Sequence, residues 1–86
     1  MNKEKFMQFL SKVIDTQANI SITVHQIQSN KEAEKMAFEL SEIIGGVVKH
    51  EENANHKWVS TKNEHINIHF FSKESYQRNK SEESML

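Results

Sequence analysis

The chain has 86 residues, with 11 basic and 12 acidic side chains, a net charge of −1 and no cysteine. That length makes one domain with a small core, burying roughly 60–65% of its unfolded surface. The missing cysteines exclude a disulfide staple, a thiolate nucleophile and a cysteine-held zinc, and near-neutral charge speaks against a nucleic-acid binder, which needs basic side chains to neutralise phosphates.

The first predicted element is a helix over Lys3 to Ile14. Phe6, Phe9, Leu10 and Val13 recur at the i, i+3, i+4, i+7 spacing of an amphipathic helix, and Met7 and Ile14 widen the stripe. Lys3, Glu4, Lys5 and Gln8 interrupt the same stretch, so it holds no apolar signal-peptide core. No apolar run approaches the ~20 residues that span a bilayer, and the expected location is the cytoplasm, with no membrane partner.

A strand follows at Asn19 to Ile27. Ile20, Ile22 and Val24 alternate with Ser21, Thr23 and His25, the pattern of a sheet with one face toward water. The second helix has a capping box at its start, Ser29-Asn30-Lys31-Glu32. Ala33, Met36, Ala37, Leu40, Ile43 and Ile44 form its apolar stripe, and Gly45-Gly46 supplies a left-handed stop. Three strands are expected next, at Val47 to Glu51, His56 to Thr61 and Glu64 to Phe71. Asn53-Ala54-Asn55 and Lys62-Asn63 are the turns between them. Ile66, Ile68 and Phe70 alternate with His65, Asn67 and His69. The polar stretch from Ser72 to Leu86 reads as a tail, with a short helix around Tyr76 or no fixed structure.

The order αβαβββ makes an α+β domain over residues 1–72 with a tail at 73–86. Strand 1 should run parallel to strand 2 across a right-handed crossover, and strands 2, 3 and 4 should form an antiparallel meander. Both helices should cover one face of this four-stranded mixed sheet, leaving the other open.

Chemistry is sparse. His65 and His69 have HxxxH spacing, but on a strand residues four apart lie ~13 Å from each other, too far to share a metal ion. No nucleophile elbow and no phosphate-cradling glycine loop occurs. No cofactor, no metal and no enzymatic activity are expected.

Recognition has more support. Phe38 falls off the apolar stripe of the second helix, which suits either a cover by the first helix or the C-terminal tail, or a dimer or partner contact. The open sheet face should carry Ser21, Thr23 and His25 with His65, Asn67 and His69, and apolar ends at Ile27 and Phe71. Trp58 depends on a turn. A two-residue Lys62-Asn63 loop pairs Ser60 with His65 and puts Trp58 on the open face beside Asn67, whereas a three-residue loop turns it into the core. The core placement is preferred. The expectation is a small protein-binding module, self-associating as a homodimer, of the accessory or inhibitor kind. The lysine-, asparagine- and isoleucine-rich, proline-free composition associates it with a low-GC Gram-positive bacterium or its phage. The alternative is a nucleic-acid-binding accessory that stacks bases on Phe71 or Trp58.

Overall fold

The computed structural model describes residues 1–75. It contains α1 (Lys3–Asp15), β1 (Ile20–Ile27), α2 (Asn30–Ile44), β2 (Val47–Glu52), β3 (Lys57–Lys62) and β4 (Ile66–Ser72). The domain is α+β, with two helices and one four-stranded mixed sheet.

The strand order is β1-β4-β3-β2. β2, β3 and β4 form the expected antiparallel meander. β1, however, pairs in parallel with β4 and not with β2. The two strands joined by α2 point the same way from opposite edges of the sheet. A 15-residue helix spans the intervening strands, so the crossover does not force its strands to be neighbours.

α2 lies across the middle of the sheet, mainly over β3 and β4. Two alanines let it approach closely, since Ala33 and Ala37 are buried. The fully buried Thr61 answers from β3 by donating its hydroxyl to the Ala37 carbonyl at 2.7 Å. Ile27, Val59 and Phe70 complete the core, flanked by Val24, Leu40, Val48 and Ile68.

Both ends of α2 form as the residues dictate. Ser29 Oγ accepts from the Glu32 N–H at 3.1 Å, and a Glu74 carboxylate oxygen accepts from the Asn30 N–H at 2.7 Å. Gly45 ends the helix at φ +67°, and the Gly46 N–H donates to the Ser41 carbonyl. Ser29→Ala removes the side-chain acceptor and should cost about 1 kcal/mol. Thermal unfolding followed by circular dichroism should show this as a melting temperature lower by roughly 4–8 °C.

The expectation that both helices cover the sheet fails for α1. It has no extensive packing against any other element, and none of its residues is buried. A tight turn follows the helix. The Thr16 hydroxyl donates to the Val13 carbonyl at 2.6 Å, and Gln17 sits in the left-handed region at φ +60°. The sheet area that α1 was expected to cover stays open, and so do Met36 and Ile43 on the adjoining flank of α2.

The start of the polar tail is tied to the fold. The Lys73 N–H donates to the Ile27 carbonyl, and the buried Ser75 accepts from the Ser72 N–H through its hydroxyl at 2.6 Å. The helix expected around Tyr76 lies outside the described residues. No helix among the described residues is long and apolar enough to cross a membrane.

Candidate functional site

The sheet face opposite α2 carries a row of rings built by register. β3 and β4 pair Val59 with Phe70, Ser60 with His69 and Lys62 with Asn67. The hairpin loop is therefore Glu64-His65, two residues later than the expected Lys62-Asn63. Asn63 makes the loop from its flank. Its backbone N–H donates to the Ile66 carbonyl, its side-chain oxygen accepts from the His65 and Ile66 N–H groups, and its side-chain nitrogen donates to the Ile44 carbonyl.

This loop decides the position of Trp58. Pairing Ser60 with His69 in place of His65 moves the register by four residues, and an even shift preserves the face. Trp58 stands on the open face beside Phe71, which corrects the core placement. The two rings stack with centroids 4.8 Å apart and planes 18° off parallel. On the other side of Phe71, from β1, His25 stacks at 5.3 Å and 26°. The row His25–Phe71–Trp58 thus crosses β1, β4 and β3. The Trp58 indole N–H donates to His69 Nδ1 at 2.9 Å, so this histidine nitrogen is an acceptor. His56 meets Phe71 edge-on at 5.8 Å.

Two expected members of the face are elsewhere. Ile27 is buried in the core, because a bulge after Val24 with Gln26 at φ +65° adds a residue to β1 and reverses its alternation. His65 lies in the hairpin loop, where Nε2 sits 3.9 Å from the exposed Glu64 carboxylate. The ~13 Å strand spacing from His69 therefore does not describe this pair. Asn67 and His69 are on the open face as expected, level with Ser21 and Thr23 of β1. Phe38 is half exposed, but on the helix side of the sheet. It shares a flank of α2 with Glu34, whose carboxylate lies 3.6 Å from His50 Nε2 on β2. His56 was not placed on this face from the sequence, although its i, i+2 relation to Trp58 carries the necessary signal.

Beside the row, His25, Gln26, Asn53, His56, Phe71 and Lys73 border a recess of about 400 Å³. Its walls offer imidazoles, amides and one ammonium around an aromatic edge. Among the described residues no three histidine, aspartate or glutamate side chains gather as metal ligands would. No family profile, no curated protein and no solved structure matches this chain.

Proposed function

We propose that the chain is a small, non-enzymatic protein-binding module of the accessory or inhibitor kind, which self-associates and presents its open sheet face to a protein partner. The observation that carries this reading is the position of Trp58 at the end of a ring row that neither α1 nor α2 covers. Tryptophan is enriched among the few residues that dominate binding energy in protein interfaces. Here it is anchored on both sides, by the ring stack and by its bond to His69, so little side-chain freedom is lost when a partner covers it.

The geometry of the row favours protein over nucleic acid. Sheet-based RNA binders offer a free ring face for each base. In this domain Trp58 and His25 flank Phe71 from the neighbouring strands, so both faces of Phe71 are covered and its edge points outward. Edges and the polar recess beside them suit side-chain and backbone contacts better than base stacking.

The test is capture of partners by tagged full-length protein from host lysate, with and without nuclease. A specific protein should be retained in both samples, and Trp58→Ala should weaken its binding by about thirtyfold, the size of a typical hot-spot loss of ~2 kcal/mol. Phe38→Ser, on the other side of the sheet, should leave that binding unchanged. Loss of every partner on nuclease treatment would establish the nucleic-acid alternative instead.

A further inference from the structure

Two apolar surfaces lack partners among the described residues, and they match. One is the stripe of α1, where Phe6 is 48% and Phe9 60% exposed. The other is an open groove of about 510 Å³ between α2 and the β1–β4 half of the sheet, lined by Ile22, Val24, Met36, Leu40, Ile43 and Ile68, with Glu39 at its rim. We infer that α1 of a second copy fills this groove, and that the exchange is reciprocal, giving a closed two-fold dimer. The inference rests on the self-association in the proposed function and names the surfaces that make it.

Four observations select a second copy. A 13-residue helix alone in water is marginal, because most helix stability in proteins comes from packing an amphipathic face, so α1 needs a cover. The stripe from Phe6 to Val13 and the groove flank from Met36 to Ile43 each cover eight residues, seven helical rises or about 10 Å. The charges are complementary: α1 carries three lysines against two acidic residues, and α2 four glutamates against two lysines. Finally, α1 makes no extensive contact with its own groove, and the turn that follows it, Thr16–Ala18, is hydrogen-bonded in this position.

The area approaches what a stable dimer needs. A buried phenylalanine removes roughly 150–250 Å², so half-exposed Phe6 and Phe9 contribute roughly 200 Å² per copy. With an equal area of groove and two-fold repetition the total is roughly 800 Å² before Met7, Leu10, Val13 and Ile14 are counted, approaching the ~1,200 Å² at the low end of stable interfaces.

The test is light scattering on the full chain, with two charge-introducing variants at exposed positions: Phe9→Glu on the helix, and Ile43→Glu in the groove, where the side chain is 73% exposed. Circular dichroism should show the sheet retained in both. Wild type should have twice the 10.1 kDa chain mass, each variant alone should be monomeric, and an equimolar mixture should recover dimer, because one intact helix then meets one intact groove. A monomeric wild type overturns the inference, as does an Ile43→Glu variant that stays dimeric, which would mean α1 pairs with α1. A mixture that stays monomeric overturns it too. A monomeric wild type also removes self-association from the proposed function, whereas monomeric mixtures or a dimeric Ile43→Glu variant overturn only the helix-in-groove exchange; the Trp58-dependent capture on the opposite face is independent of all three outcomes.

Discussion

Phe70→Ala should come close to unfolding the domain. Phe70 is one of five buried apolar side chains among the described residues, pairs with Val24 and Val59 across the sheet, and packs under α2. Truncating a core phenylalanine costs about 3–5 kcal/mol. That is most of the stability of a marginal small domain, whose total is on the order of 5 kcal/mol. Thermal unfolding should show a melting temperature lower by roughly 15–30 °C, or no cooperative transition at all. Phe71→Ala removes a neighbouring ring on the open face. Its loss should be smaller, since each stacked pair adds only about 0.5–1.5 kcal/mol beyond area burial. Equal losses from the two mutants would contradict the face assignment on which the site is built.

The alternation that separates Phe70 from Phe71 was legible in the sequence, and so were both ends of α2, because each depends on residues close together in the chain. The Ser29 cap and the Gly45 stop need only their own turns. What escaped depended on distant contacts or on a single backbone angle. Gln26 gives no warning that it will take φ +65°, yet that angle moves Ile27 from the open face to the core. Asn63 was read as the centre of a turn. Its side chain instead builds the turn from outside, held by the Ile44 carbonyl that only the folded α2 delivers. That one residue fixed the register, and with it the position of Trp58. The periodicity of α1 was correct, but an amphipathic stripe states that a helix needs a partner without stating which one. The ring row was half visible: His25, His69 and Phe71 were placed together, while Trp58 and His56 required the register.

Gly46→Ala should destabilise the domain more than Gly45→Ala, although Gly45 is the glycine in the left-handed conformation. At Gly45, φ is +67° and an added methyl group meets nothing within 4 Å. The penalty there is conformational only, about 1–2 kcal/mol, and Gly45→Asn should recover part of it because asparagine tolerates this region. At Gly46 an added Cβ would lie 2.6 Å from the Lys62 carbonyl oxygen and 3.1 Å from its carbon. Both are backbone atoms, so no side chain can swing away. Val47, the next residue, pairs with Lys62 at the start of the β2–β3 ladder, so relieving the clash means pulling the two strands apart where they begin. Forcing atoms into a packed position costs about 1–3 kcal/mol, and a backbone obstacle belongs at the upper end of that range. Chemical denaturation of the two variants beside wild type measures the difference. Gly46→Ala should lower stability by about 3 kcal/mol, while keeping the far-ultraviolet helix signal at low denaturant, since α2 ends before the clash. A larger loss from Gly45→Ala would mean that β2 has room to retreat from β3, and that the left-handed cap on α2 limits stability more than the close approach of the strands.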